Sequence, residues 1–147
     1  MVVDSTVQAF GLECRVTVGP LQVLIVERDL HVRELETHFF EQAGYTVNTA
    51  IDGQVALELA ISLQPDVIVT EVLLGKIDGL ALCRQLKSNP VTKNIPILVF
   101  SVLATNARAK EAGADAFLMK PLAKERLLGV IDTLVQSRDP ANAQERR

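Results

Sequence analysis

The chain alternates short runs of aliphatic residues with longer segments in which apolar residues recur at helical spacing. The short runs are rich in Val, Ile and Leu, which is typical of strands buried on both faces of a parallel sheet. They predict five strands within residues 21–26, 45–50, 67–69, 95–101 and 116–119. The intervening segments predict a helix after each strand, since apolar residues at intervals of three and four fall on one helical face.

Several helix boundaries are also written in the sequence. The first helix is expected to end at Gly44 and to present an apolar stripe of Val32, Leu35, Phe39 and Phe40. Asp52 is the expected N-cap of the second helix, which Pro65 ends. The fourth helix, between Ser101 and Gly113, is alanine-rich and lacks a strong apolar face, so it is expected to be short or irregular.

Strands that alternate with helices predict βαβ units and a parallel sheet covered on both faces, which is an α/β fold. In such sheets the functional crevice lies at the carboxyl ends of the strands. The predicted strands bring five polar side chains to that edge, namely Glu27, Arg28, Glu71, Ser101 and Lys120. These residues are therefore the candidate site.

The length and composition suit one domain with short tails. The chain has 147 residues, of which 48% are hydrophobic, enough for a sizeable core. We expect the domain to occupy residues 20–137, with a polar tail over 138–147. The N-terminal extension, residues 1–19, alternates in part, and an extra strand and a disordered leader are both open for it.

Charge and cysteine content narrow the classes of function. The net charge of −3 gives no basic face for nucleic acid, and no apolar run approaches the roughly 18 residues that span a bilayer. A secretory signal is not evident at the N-terminus. Cys14 and Cys83 lack metal-type spacing and are expected to be reduced thiols, with Cys83 in the core. A cytoplasmic location follows as the expectation.

From Leu21 to about Gln136 the chain resembles the receiver domains of response regulators, the phospho-accepting modules of two-component signalling. The motifs that carry the resemblance are Asp66–Glu71, Asp78–Gly79, Asn94–Pro96 and Phe117–Pro121, in this order and spacing. The resemblance implies a flavodoxin-like (βα)5 fold, a three-layer sandwich with a parallel sheet of order 2-1-3-4-5. It also implies a cis peptide bond before Pro121.

The resemblance assigns roles to individual positions. Lys120 matches the lysine that contacts the phosphoryl group, and Ser101 matches the hydroxyl residue that moves onto that group. Phe117 matches the aromatic switch residue, without a hydroxyl. Glu27 matches the first member of the acidic pair that binds the metal.

Two positions depart from the family pattern. Glu71 stands where the phospho-accepting aspartate is expected, and Arg28 stands where the second acid of the metal-binding pair is expected; Asp29, the third residue of this acidic corner, is better interpreted as a helix N-cap. Two unit charges about 4 Å apart interact by roughly 4 kcal/mol at an effective dielectric of 20, so a guanidinium repels Mg²⁺. The longer Glu side chain also displaces the nucleophile, and a shift of roughly 1 Å can cost about a hundredfold in rate.

We therefore expect no catalytic residue, no cofactor and no bound metal, with Glu27 and Glu71 as the only ligands if a metal is present. Three interpretations of Glu71 are open: drift in a domain that no longer signals, a selected mimic of the phosphoryl group, and residual phosphorylation or metal binding. Arg28 either occupies the place of the metal, paired with Glu27 or Glu71, or points to solvent.

The leading hypothesis is an atypical receiver, a pseudo-receiver that is not phosphorylated and is not an enzyme. It would bind signalling proteins, either a histidine kinase or a downstream effector, through the face formed by the fourth helix, fifth strand and fifth helix. A homodimer is also left open. The alternative is a conventional Mg²⁺-dependent response regulator. A small-molecule-binding module ranks third, because no glycine-rich phosphate loop follows the first strand.

Overall fold

The structure is a computed structural model that describes residues 3–9, 12–121 and 123–138. The predicted polar tail lies outside the described residues, apart from its first position. The N-terminal extension forms two strands, β1 (Val3–Ala9) and β2 (Leu12–Val18). They pair antiparallel as a separate two-stranded sheet, with Val3 opposite Val18 and Ala9 opposite Leu12.

Five parallel strands form the central sheet. They are β3 (Gln22–Val26), β4 (Thr46–Ala50), β5 (Val67–Thr70), β6 (Ile97–Ser101) and β7 (Ala116–Met119). Their spatial order is β4-β3-β5-β6-β7, which is 2-1-3-4-5 when the strands are counted from β3. This order confirms the predicted flavodoxin-like fold and places β4 and β7 at the sheet edges.

Five helices cover the two faces of the sheet. They are α1 (Leu30–Gln42), α2 (Gly53–Leu63), α3 (Gly79–Ser88), α4 (Asn106–Glu111) and α5 (Lys124–Arg138). Alternate strand residues enter two separate cores, as the period of two requires. Leu24 and Val26 pack with α2, α3 and α4, while Val23 and Ile25 pack with α1 and α5. The predicted three-layer sandwich results, with Cys83 fully buried in the first core.

Aspartate side chains begin three of the helices. Asp29 accepts hydrogen bonds from the backbone of His31 and Val32, Asp52 accepts one from Val55, and Asp78 accepts one from Ala81. Each satisfies N–H groups that have no partner within the helix. The predicted N-caps at Asp29 and Asp52 are confirmed, and α4 is short, with six residues, as expected.

The predicted apolar stripe of α1 is wrong at one position. Leu35 is 53% exposed, whereas Glu36 beside it is only 4% exposed. The buried stripe follows intervals of four through Glu36 and Phe40, so a charged residue takes the place that the apolar pattern gave to leucine. The helix end also shifts by one residue, because Ala43 is the C-cap and Gly44 follows with a φ of +93°.

None of the helices among the described residues combines the length and the apolar character that crossing a bilayer requires.

Candidate functional site

The carboxyl ends of β3, β5, β6 and β7 converge as the strand pattern predicts. Glu27 follows β3, Glu71 follows β5, Ser101 ends β6 and Lys120 follows β7. Their side chains form one connected set of hydrogen bonds, which we call the lysine site. Glu27, Glu71 and Ser101 are buried, and the Lys120 side chain is 11% exposed.

Glu71 is surrounded by hydrogen-bond donors. Its Oε1 accepts from the Ser101 hydroxyl and from the backbone N–H of Val72 at 2.7 Å. Its Oε2 accepts from Lys120 Nζ at 3.2 Å and from the backbone N–H of Val102 at 3.4 Å. Both carboxylate oxygens are therefore satisfied by the protein itself.

Lys120 joins the two ends of the site. Its Nζ donates to Glu27 Oε1 and to Glu71 Oε2, and it lies 5.2 Å from the centre of the Phe100 ring. Its backbone N–H donates to the Ser101 carbonyl oxygen at 2.8 Å, which fixes the lysine beside β6. The expected cis peptide bond between Lys120 and Pro121 is present.

These contacts change the ionisation of both partners. Burial acts to raise the pKa of Glu71, but the hydrogen bonds from Ser101 and Val72 and the charge of Lys120 outweigh it, so the pKa lies below its ordinary value. Burial acts to lower the pKa of Lys120, but its hydrogen bond to Glu27 and the surrounding carboxylates raise it. Glu71 and Lys120 are therefore a charged pair at neutral pH.

A tight turn fixes the backbone at Glu71. The first residue of α3, Gly79, donates its N–H to the Val72 carbonyl oxygen at 2.9 Å. A Cβ atom at position 79 would overlap the carbonyl oxygen of Glu71, so only glycine fits there without moving the chain. The start of α3 thus packs directly against the main chain of Glu71, the candidate phospho-acceptor position.

The acidic corner after β3 contains one buried side chain, Glu27, and one exposed side chain, Arg28. Glu27 is buried, and its Oε2 accepts the backbone N–H of Asp29 at 3.0 Å. Arg28 is exposed and, among the described residues, its side chain has no hydrogen bond or ion pair. The interpretation in which Arg28 pairs with Glu27 or Glu71 is therefore wrong for this structure, because Lys120 already contacts both.

Sequence reasoning did not identify Glu36 as part of this region. Its carboxylate is buried under the lysine site, with Oε2 3.9 Å from Lys120 Nζ and without a hydrogen-bond partner among the described residues. Burial raises the pKa of Glu36 to about 7, and Glu27 and Glu71 add to the effect, while Lys120 opposes it. Its spacing of four from Val32 and from Phe40 was the available signal.

The predicted switch position lies apart from these contacts. Phe117 is partly buried on β7 and packs against the core that contains Ala109 and Ala112. On the β6–α4 loop, Val102 and Leu103 expose 53% and 37% of their surfaces beside the lysine site. The described residues include no group of three or more His, Cys, Asp or Glu side chains arranged to hold a metal ion.

Comparison with known proteins identifies the family. The family model described as "Response regulator receiver domain" matches residues 23–132. The response regulator MprA of Mycolicibacterium vanbaalenii is 37% identical over 124 residues, covering 82% of this chain and 53% of that protein. The DNA-binding dual master transcriptional regulator RpaA of Synechocystis is 33% identical over 121 residues, covering 80% of this chain and 50% of that protein.

Solved structures agree with this assignment. The signal receiver domain of a signal transduction histidine kinase from Syntrophus aciditrophicus superposes with a TM-score of 0.76 at 32% identity, covering 80% of this chain and 91% of that one. The chain spans about half the length of the curated relatives it matches. With the topology and the family match together, the chain belongs to the response regulator receiver family and carries a receiver domain of the two-component type.

Proposed function

We propose that this receiver domain is not phosphorylated, binds no Mg²⁺, has no enzymatic activity and acts in signalling as a protein–protein interaction module. The supporting observation is that Glu71 accepts hydrogen bonds from both Ser101 and Lys120. In the family pattern, the lysine and hydroxyl at these positions contact the phosphoryl group. Here the carboxylate of Glu71 takes both donors, so the unmodified site already has the contacts that phosphorylation would create.

The donor set does not fit Mg²⁺. This ion requires oxygen ligands in near-octahedral geometry, usually from one or two free carboxylates and water. Both oxygens of Glu27 and both oxygens of Glu71 accept hydrogen bonds from the protein. Position 28, where the family pattern has a second acid, carries an exposed arginine. Lys120 therefore supplies the positive charge beside these carboxylates in place of a metal.

Among the three interpretations of Glu71, these contacts favour a mimic of the phosphoryl group over drift. Glu71 carries one negative charge, whereas a phosphoryl group carries nearly two, so the mimicry is partial. Ser101 is nevertheless engaged, and Phe117 packs against the core next to α4. We infer that the Ser101 hydroxyl is held on the Glu71 carboxylate without phosphorylation.

The proposal is tested by incubating the protein with Mg²⁺ and a small phosphodonor and weighing it intact. No phosphoryl adduct is expected, because the nucleophile is displaced and the metal ligands are occupied. A stable adduct that maps to Glu71 would contradict the proposal. It would support the conventional response regulator instead, an alternative that the response-regulator names of the relatives favour.

Aspartate at positions 28 and 71, as in the family pattern, should restore Mg²⁺ binding. The double variant Arg28→Asp/Glu71→Asp supplies the missing ligand and shortens the acceptor, so saturable Mg²⁺ binding in the millimolar range is expected. The control is Arg84→Asp/Glu71→Asp, in which the exposed Arg84 of α3 undergoes the same change of charge away from the site. Equal Mg²⁺ titrations of the two variants would show that position 28 does not contribute to the site.

For the binding surface we propose the face of α4, β7 and α5, on the receiver unit of residues 20–137. Strand β7 is at the sheet edge, and Met119 on it is 46% exposed. A histidine kinase or a downstream effector is the expected partner, with a second copy of the chain as a further occupant. Met119→Lys should weaken that binding, whereas Leu35→Lys, at a similarly exposed leucine on α1, should not.

Nucleic acid is not part of this proposal. DNA binding is stated in the name of one relative, of which the chain matches only half the length. The net charge of −3 supplies no general attraction to phosphate backbones. The proposed binding surface includes neither the N-terminal extension, residues 1–19, nor the C-terminal tail, residues 138–147.

A further inference from the structure

Beneath the lysine site lies a buried carboxylate, one oxygen of which lacks a hydrogen bond among the described residues. Glu36 is 4% exposed, and its Oε2 has no hydrogen-bond partner among the described residues. Buried charged groups are otherwise paired or hydrogen-bonded, because leaving water without a partner costs several kcal/mol. Burial therefore favours the protonated form of Glu36. Loss of that proton would leave a buried negative charge on a carboxylate with one oxygen that lacks a hydrogen bond among the described residues.

Among the described residues, one cation and two competing acids surround Glu36. Lys120, from the β7–α5 connection, is 3.9 Å away, and its Nζ is already bound to Glu27 and Glu71 from the ends of β3 and β5. Strand β4, which packs against α1, carries no charged residue. The charged residues of α5 that reach α1 and its C-terminal end contact other groups, since Lys124 donates to Gln42 and Asp132 accepts from Tyr45.

Residues of α1 itself do not neutralise Glu36 either. Arg33, one turn earlier, donates to the carbonyl oxygens of Glu27 and Arg28 at 2.9 and 3.4 Å. Asp29 and His31 are engaged at the N-cap through the Asp29 carboxylate and the His31 backbone. Lys120 is thus the cation that an ionised Glu36 would face.

We propose that Glu36 is a proton-operated switch that acts on Lys120. While Glu36 is neutral, Lys120 stays bound to Glu27 and Glu71; when Glu36 ionises, it draws the ammonium towards α1 and weakens the contact with Glu71. The inference rests on the proposed function, in which Lys120 and not a metal contacts the carboxylates of this site. Protonation would then regulate a receiver that phosphorylation does not.

The direction of the effect follows from charge. With Glu36 neutral, Glu27, Glu71 and Lys120 together carry one net negative charge, and ionisation adds a second. Burial raises the pKa of Glu36 to about 7, which places this change in the neutral range. The Lys120 backbone is fixed by its hydrogen bond to Ser101, so the response is confined to the side chain.

The change should reach the surface through Val102. Its backbone N–H donates to Glu71 Oε2 at 3.4 Å, the same oxygen that Lys120 contacts at 3.2 Å. When Lys120 withdraws, this oxygen loses its positively charged partner, and among the described residues the Val102 N–H is the donor that remains on it. The exposed β6–α4 loop, with Val102 and Leu103 at its start, would thereby report the proton on Glu36.

An NMR titration of the full chain tests the switch. With glutamate carboxyl carbons labelled, the wild-type protein should show one glutamate that titrates near pH 7, well above the ordinary value of about 4.3. The Val102 amide signal should shift with the same midpoint. Glu36→Gln should abolish both transitions, while Glu34→Gln, an exposed neighbour on the same helix, should leave both unchanged.

Two outcomes would overturn the switch. If no glutamate titrates near pH 7, Glu36 is not the buried acid that the switch requires. If Glu36 does titrate there but the Val102 amide does not follow, the proton is not coupled to the lysine site. Neither outcome bears on the intact-mass test, so a failed switch and a phosphorylated Glu71 are distinguishable.

Discussion

Each end of the central sheet holds a lysine that contacts carboxylates, and the two clusters are built differently. At the amino ends of β6 and β7, Lys87 Nζ donates to Asp115 at 2.8 Å and to the Ile95 carbonyl oxygen at 3.0 Å. The same Asp115 oxygen accepts the Ile97 N–H at 2.8 Å. This amino-end pair has one cation for one anion, and the side chain of Asp115 is 39% exposed.

The lysine site at the opposite end is unbalanced and buried. Lys120 faces three carboxylates, all of them nearly inaccessible to water, and one oxygen of Glu36 has no hydrogen bond among the described residues. The amino-end pair suits a structural role, since it joins backbone segments at little electrostatic cost. Arrangements that break the usual rules, such as this excess of buried carboxylates, concentrate at functional or strained sites. The carboxyl end of the sheet is therefore the candidate functional end.

Removing each lysine in turn should give the largest difference in unfolding free energy between the two clusters. Lys120→Met leaves Glu27 and Glu71 buried without a cation, and the loss of a buried partner costs about 3–5 kcal/mol of unfolding free energy. Lys87→Met should cost about 1 kcal/mol, because Asp115 keeps the Ile97 N–H and contact with water. Urea unfolding of both variants at pH 7 measures the difference. Similar losses would mean that the lysine site is screened by solvent after all.

The pH dependence of stability should separate Glu36 from the balanced pair. A folded pKa raised from 4.5 to about 7 means that the folded state holds its proton longer than the unfolded chain does. Stability from this group is therefore complete below about pH 4.5 and is lost as the pH rises through 7, by roughly 3 kcal/mol. Glu36→Gln should remove this loss in denaturation series between pH 4.5 and 8.5, whereas Glu34→Gln should retain it.

Deleting the Ser101 hydroxyl should produce a smaller effect of opposite pH direction. Ser101→Ala removes a donor to a buried carboxylate, with a cost of about 2 kcal/mol. The pKa of Glu71 is lowered in the folded state, so its stabilisation is present above the unfolded value and is lost as the pH falls. Without Ser101 that pKa rises, and acid unfolding followed by circular dichroism should begin at a higher pH. An unchanged acid limb would show that other donors dominate.

The smallest effect is expected outside the site. Arg28→Ala should change stability by less than about 0.5 kcal/mol, since the exposed side chain has no partner among the described residues. A thermal-unfolding comparison with Arg84→Ala provides the reference for an ordinary exposed arginine. A clearly larger loss at position 28 would mean that Arg28 spends time inside the lysine site in solution.

Much of the site was predictable because the fold alone brings strand ends together. Glu27, Glu71, Ser101 and Lys120 all lie at or just after the ends of predicted strands, and a parallel sheet places such residues at one edge. The direction of Arg28 was not predictable, since the residue after a strand end can turn either way. Glu36 was not predicted to be buried, because a stripe defined by apolar residues selects Leu35 and passes over a charged residue. Which residues of α1 are buried is decided by how the helix packs on the sheet.

The glycine at the start of α3 has an evolutionary consequence. Because Gly79 fixes the main chain at Glu71, exchanging glutamate for aspartate changes only the side-chain length and leaves the loop as it is. Glutamate and aspartate codons differ by one base, whereas arginine and aspartate codons differ by at least two. An aspartate at position 71 is therefore one mutational step away, while an acid at position 28 is at least two steps away. The loss of phosphorylation that we propose is thus easier to reverse at the acceptor position, whose main chain Gly79 already fixes.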